Sequence, residues 1–236
     1  MKIGKGLATF GVYLLVIGTI LIGVYGGNLA TTAVSEMIPM ARQGTIVIDA
    51  GHGGMDGGAT SCTGVRESQI NLEIALRLED LCHLLGYRTV MVRRSDVSVH
   101  TSGETIAARK VSDLRQRVRI VNETEDSILI SIHQNTFSDG QYYGAQVFYG
   151  PEGESQALAE SIQHTLTQTL NPGSNRAAKK AEGIYLMQQI HRKGILIECG
   201  FLSNPQEEAK LRSAEYQQKI CCILAGTVGQ FLTKCT

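Results

Sequence analysis

Neither sign of charge predominates in this chain of 236 residues: lysine plus arginine number 22, and so do aspartate plus glutamate. Without a net field, little draws the protein onto nucleic-acid phosphates, so no nucleic-acid partner is expected. Phosphate-binding loops are missing too. The glycine turn after the first apolar run carries Gly51 and Gly53, but Asp56 stands where a dinucleotide fingerprint needs its third glycine. No acidic residue ends the next strand, and a G-x-x-x-x-G-K-[ST] loop is absent, as is the G-x-S-x-G elbow of serine hydrolases. The cysteines Cys62, Cys82, Cys199, Cys221, Cys222 and Cys235 include no C-x-x-C pair. A domain of this size needs no covalent staples, so most are expected as buried free thiols. No internal repeat or low-complexity segment occurs.

What the chain does have is one long uncharged stretch. After Lys2 and Lys5 no charge appears until Glu36, and the densest apolar part covers Leu7–Tyr25. About 20 apolar residues suffice to cross a bilayer as a helix. Residues 1–26 therefore read as a transmembrane helix or uncleaved signal anchor. The alternative is a cleaved secretory signal, for which Thr31-Thr32-Ala33 offers a poor site. In both cases the two lysines stay inside and the rest is exported, so the protein is expected outside the cytoplasm, membrane-anchored or secreted. Residues 27–43 read as a linker and 44–236 as the catalytic domain.

Within that domain strand and helix signals alternate. "TIVIDA" (45–50) and "YRTVMVR" (87–93) read as strands, and between them Ile70, Ile74, Leu78, Leu81, Cys82 and Leu85 recur at helical spacing before Gly86. A polar, aperiodic stretch, 95–112, reads as a lid or flexible loop. It is followed by a helix over 113–123 and by "SILISIH" (127–133), apolar enough for a strand covered on both faces. Further strands are expected at 145–149, 183–187 and 194–198, and helices at about 153–170, 205–213 and 215–233. Strands interleaved with helices predict a three-layer α/β/α domain with a mostly parallel central sheet of about six strands.

Ligands of open α/β sheets sit outside the carboxyl ends of the strands. Three residues capable of metal or proton chemistry are expected there: His52 after the first strand, His133 ending "SILISIH", and Glu198 ending "GILIE". Glu67, opening the first helix, reaches the same edge. Two imidazoles and a carboxylate with an open fourth position are a catalytic zinc donor set, which leaves Glu198 as base for a water. Each residue has an ordinary reading as well. Glu67 suits any first helical turn, and His133 suits a satisfied strand end. Glu198 on a buried strand is harder to dismiss, because a buried carboxylate is costly unless paired or functional. Cys199, next to it, should point to the opposite face.

"VIDAGHGGMDGGA", "RESQINLEIA", "LRQRVRIVN", "ISIHQN" and "ILIECGFLSNP" together resemble the zinc-dependent N-acetylmuramoyl-L-alanine amidases across residues 45–236. "GAQVFY" and "GIYLMQ" look most like the germination-specific branch of spore-formers. The resemblance implies zinc held by His52, Glu67 and His133, Glu198 as catalytic glutamate, and Asn135 in a supporting role. It implies a muramyl-peptide substrate in peptidoglycan, cleaved between the lactyl group and L-alanine. In the spore branch the reaction would precede muramic-lactam formation, in the intermembrane space where cortex is made. Family members that split daughter cells often insert an inhibitory helix after "SIHxN"; here only eight residues, 136–143, separate Asn135 from Gly144. No self-blocking helix is expected there, and control would fall to timing, an exported partner, or the 95–112 segment. Two other readings stay open at this point: another exported zinc hydrolase of wall polymer, such as a deacetylase or peptidase, and a non-catalytic wall-binding module.

Overall fold

The computed structural model describes residues 44–234. The expected anchor (1–26), the linker (27–43) and Cys235 lie outside them. Among the described residues no helix is long and apolar enough to cross a membrane.

Six strands form one sheet: β1 (Thr45–Ala50), β2 (Arg88–Met91), β3 (Ser127–Asn135), β4 (Gln146–Tyr149), β5 (Lys179–Lys180) and β6 (Lys193–Phe201). Their order is β2-β1-β3-β6-β4-β5. The first four in that row are parallel, whereas β4 runs antiparallel to β6 and carries β5 parallel to itself. The helices are α1 (Glu67–Leu84), α2 (Ile106–Glu123), α3 (Ser155–Leu170), α4 (Tyr185–Gln189), α5 (Pro205–Leu211) and α6 (Ala214–Lys234).

Side-chain alternation along the strands sorts the helices into two layers. Ile46 and Ile48 of β1, Ile130 and Ile132 of β3, and Ile195 and Ile197 of β6 pack with α1, α3 and α6. The intervening Val47, Leu129 and Leu196 pack with Val121 of α2 and Leu186 and Met187 of α4. This is the expected three-layer α/β/α architecture. Cys199 lies in the first layer, away from the face of Glu198's neighbour Leu196. The five described cysteines are free; Cys82, Cys199 and Cys221 are buried, Cys62 and Cys222 exposed.

Two segments depart from expectation. The apolar 183–187 segment is no strand but a single helical turn, α4, after Gly183 at φ 75. A five-residue apolar run fits either period, and a left-handed glycine at its start breaks the extended path. The 95–112 segment is no free loop. Helix α2 starts within it at Ile106, where the Thr105 side chain caps the N–H of Ala108. The residues before it are pinned down: Asp113 accepts from Ser98 Oγ and the Val99 N–H, and Ser112 Oγ accepts from the N–H groups of Thr101 and Ser102.

Candidate functional site

Strand β1 pairs with β2 on one side and β3 on the other, so the chain leaves β1 at the point where the connections diverge to opposite faces. A crevice at the carboxyl end follows from that topology. The chain crosses it in a tight turn. His52 itself is left-handed, at φ 60, and Gly53, Gly54 and Gly58 also have positive φ. Glycine is needed here for a second reason. A Cβ on Gly51 would lie 2.2 Å from His133 Cε1, and one on Gly58 would lie 2.4 Å from Glu67 Oε2 and 2.7 Å from His52 Cδ2. The turn is therefore a cradle in which two imidazoles and a carboxylate approach the backbone closely.

Helix α1 begins against this turn. Its first N–H groups need acceptors outside the helix, and they find them in the turn: Glu67 N–H donates to Ala59 O and Ser68 N–H to Gly57 O. That docking sets the Glu67 carboxylate beside His52. Its oxygens accept from the N–H groups of Ala59 and Gln134 and from Asn71 Nδ2. His52 Nε2 lies 3.3 Å from Glu67 Oε2, and His133 Nδ1 lies 3.1 Å from Glu67 Oε1. Burial pushes the Glu67 carboxyl up, but hydrogen bonds from His133 and His52 outweigh it and hold the group far below the usual range.

His52, Glu67 and His133 each offer one ligand atom within 4.8 Å of the others. Donors about 2 Å from a common tetrahedral centre stand roughly 3.3 Å apart; the two imidazole nitrogens lie 3.3 and 3.1 Å from Glu67, each against a different carboxylate oxygen. Two nitrogens and one carboxylate on the rim of an open cleft thus fit a small cation with a coordination position to spare. His52 and His133 keep 22% and 18% of their side chains exposed, so the cluster is open to solvent. Residues 136–145 form turns and extended chain with no helix, in line with the short spacing after Asn135.

Glu198 stands opposite His133 in the β3–β6 register. It lies within β6 rather than at its end, since the strand runs on to Phe201. Its Oε2 is shut off from solvent and has no hydrogen-bond partner among the described residues. Burial pushes its carboxyl up to about 7, with the nearby His133 opposing. A half-buried carboxylate with one oxygen shut off and unpartnered, beside a donor cluster, suits a proton-transferring group. Asn135 follows His133 by two residues, half-buried, next to a register shift that sets it opposite Phe201; its backbone carbonyl accepts from Leu202 N–H.

Several residues of the site were not singled out from sequence. Asp56 Oδ2 lies 3.0 Å from His52 Nδ1, leaving Nε2 directed at Glu67, the arrangement that fixes the tautomer of a metal-binding histidine. Burial lowers the His52 pKa, but its hydrogen bonds to Glu67 and Asp56 raise it overall. Arg117 of α2 pairs with buried Asp49 and with Asp113, and donates to the carbonyls of Ala50 and His52. Arg93 donates to the carbonyls of Ala50, Gly51 and Ser68. Asp49 was a findable signal: a charge inside "TIVIDA" requires a partner.

The sequence relations agree with the geometry. A family model described as N-acetylmuramoyl-L-alanine amidase matches residues 46–227. The chain is 39% identical over 191 residues to the germination-specific N-acetylmuramoyl-L-alanine amidase of Bacillus subtilis (strain 168), covering 80% of each. Among solved structures it resembles the CwlD amidase from Clostridioides difficile in complex with the GerS lipoprotein, with 34% identity and a TM-score of 0.77 over 81% of this chain and 99% of that one. It also resembles an N-acetylmuramoyl-L-alanine amidase from Clostridium difficile 630, at 28% identity and a TM-score of 0.70 over 80% of this chain and 97% of that one.

Proposed function

The chain belongs to the N-acetylmuramoyl-L-alanine amidase family, and from that premise we propose that His52, Glu67 and His133 hold a zinc ion beside Glu198, the proton-transferring residue. The observation carrying this reading is the donor cluster within 4.8 Å beside the Glu198 carboxylate, whose Oε2 is buried and has no hydrogen-bond partner among the described residues. Zinc, when bound, supplies a Lewis acid for the carbonyl and lowers the pKa of a nearby water to about 7.

The protein's own groups account for the rest. Asp56 orients the His52 imidazole through its Nδ1. Glu198 takes a proton from the water that attacks the lactyl carbonyl, and delivers it to the L-alanine nitrogen as the C–N bond breaks. The products are a lactyl carboxylate on the glycan and a free peptide amine. Asn135 supports His133 at the end of β3.

The substrate is peptidoglycan, the muramyl-peptide polymer that the family name implies. The relation to a germination-specific amidase supports a role in spore cortex, with removal of stem peptides ahead of muramic-lactam formation. Such a role places the domain outside the cytoplasm, in a sporulating cell between the two membranes, with residues 1–26 as its tether. The Clostridioides relative was solved with a lipoprotein, which supports an exported regulatory partner here too.

Zinc analysis of the purified protein, combined with mass spectrometry of digested peptidoglycan, tests the reading. One zinc per chain and release of intact peptides from muramic acid are expected. Released acetate or cut cross-links would point to a deacetylase or peptidase instead. For the cortex role, a deletion strain should lose muramic lactam, and its persistence would refute that role.

A further inference from the structure

Two cavities adjoin the His52 turn. The larger, about 420 Å³, lies over His52 and His133 between α2 and Tyr185. The smaller, about 140 Å³, continues past Met55 and Ile106. Asp56, Lys110 and Asp113 line both, so they form one trench with Lys110 at the junction.

The charges along this trench are unevenly engaged. Asp49 and Asp113 are held by Arg117, and Asp113 also takes the Ser98 hydroxyl and the Val99 N–H. Lys110 Nζ lies 3.0 Å from Asp56 Oδ2, with 53% of its side chain exposed. An ammonium has three donors; Asp56 takes one, and two remain for a ligand. Since the same Asp56 Oδ2 is 3.0 Å from His52 Nδ1, this cation stands one shared oxygen away from the first residue of the donor cluster.

The substrate has a matching group. On the glycan side of the scissile amide are a lactyl ether and neutral sugar. On the peptide side, the residue after L-alanine is a glutamate joined through its γ-carboxyl, so its α-carboxylate is either free or capped as an amide. A chain advances about 3.5 Å per residue, which puts that carboxylate about 7 Å from the bond to be cut. Lys110 Nζ and His52 Nδ1, each 3.0 Å from the same Asp56 oxygen, are at most about 6 Å apart, a distance of the same order. We propose that Lys110 is a specificity residue that binds this free α-carboxylate, so that the trench along α2 takes the peptide and the enzyme prefers stems whose second residue is not amidated. The proposal rests on the amidase reading of the same site.

Calorimetric titration of the zinc-loaded protein with N-acetylmuramoyl-L-alanyl-D-isoglutamate and its isoglutamine counterpart tests it. Wild type should bind the glutamate form about tenfold or more tightly, the contribution of one charge-assisted hydrogen bond. Lys110→Met should bring the ratio of the two affinities close to one, and Lys110→Arg should keep it. Because the ratio is taken within each protein, any disturbance of Asp56 and His52 cancels. A wild type that binds both forms alike, or a Lys110→Met protein that keeps the preference, overturns the proposal. Turnover of the same compounds is followed in parallel. Preference in binding without cleavage would count against the amidase reading while upholding the Lys110 site.

Discussion

Glu198 carries a carboxyl that burial pushes up to about 7, and its Oε2 has no hydrogen-bond partner among the described residues. In the proposed mechanism its ionised form is the base, so activity is expected to rise with pH as the proton leaves. The expected kcat/KM profile climbs through an acid limb, and a cation held by the neighbouring ligands pulls that limb below 7. Initial rates on soluble muropeptides between pH 4 and 9 check this; a rate independent of pH below 7 would remove Glu198 from the proton transfer. Glu198→Gln keeps the shape and loses the base, so it should retain zinc by elemental analysis while turnover drops by about 10²–10⁴. Gly58 makes a separate prediction at this scale. At φ +66, with a Cβ that would meet Glu67 Oε2 and His52, Gly58→Ala should weaken zinc by about tenfold to a hundredfold in competition with a chelating dye, as outer-shell changes do, while circular dichroism stays unchanged.

At the scale of elements, α2 is fastened to the sheet through charge as well as packing. Arg117 joins it to Asp49 of β1 and to the carbonyls of the His52 turn, deep in the protein. The Asp49 carboxyl is pushed up by burial, but the Arg117 guanidinium beside it prevails and holds it below the usual range. Arg117→Met leaves Asp49 buried with Ser131 as its remaining hydrogen-bond donor. Breaking a buried pair in this way costs about 3–5 kcal/mol, to be read from urea denaturation. A loss under 1 kcal/mol would mean that the turn does not depend on α2. This fastening also shows where sequence reading stops. The strand carrying Asp49 and the helical period from Ile70 to Cys82 were plain, since burial repeats at 2.0 and 3.6 residues. His52, Glu67, His133 and Glu198 were legible less one by one, since Glu67 and His133 each suit an ordinary helix or strand end, than as a set that the alternating strands and helices bring to one edge of the sheet. Lys110 and Arg117 were not, because a cation on an amphipathic helix reads as a solvated face until the fold sets a carboxylate against it. The start of α2 was hidden by the polar run before it, and the exposed pair Lys179–Lys180 has no apolar side to mark it as a strand.

For the molecule as a whole, the donor cluster ties stability to metal and to pH. Glu67 has a depressed folded pKa, so its contribution is fully present above the unfolded carboxylate value of about 4.3. It is lost as pH falls through the folded value. Chelated protein should therefore keep this part of its stability at neutral pH and lose it only in strong acid. Zinc held as proposed would add a second term, because its ligands come from the turn after β1, from α1 and from β3, which the unfolded chain scatters. At a free concentration of about 100 times Kd, binding stabilises by about 2.7 kcal/mol. For a domain of this size about 1 kcal/mol shifts Tm by 2–4 °C. The expected rise is thus roughly 5–10 °C on adding zinc at pH 7, measured by scanning calorimetry against the chelated sample. Glu67→Gln removes the charge that completes the donor set and should abolish most of that rise. Lys219→Ala, on the exposed face of α6 and paired with Glu215, should leave it intact. If Glu67→Gln kept the full zinc-dependent shift, the metal would be bound elsewhere, and the folded cluster would owe its shape to the hydrogen bonds from Ala59, Asn71 and Gln134 alone.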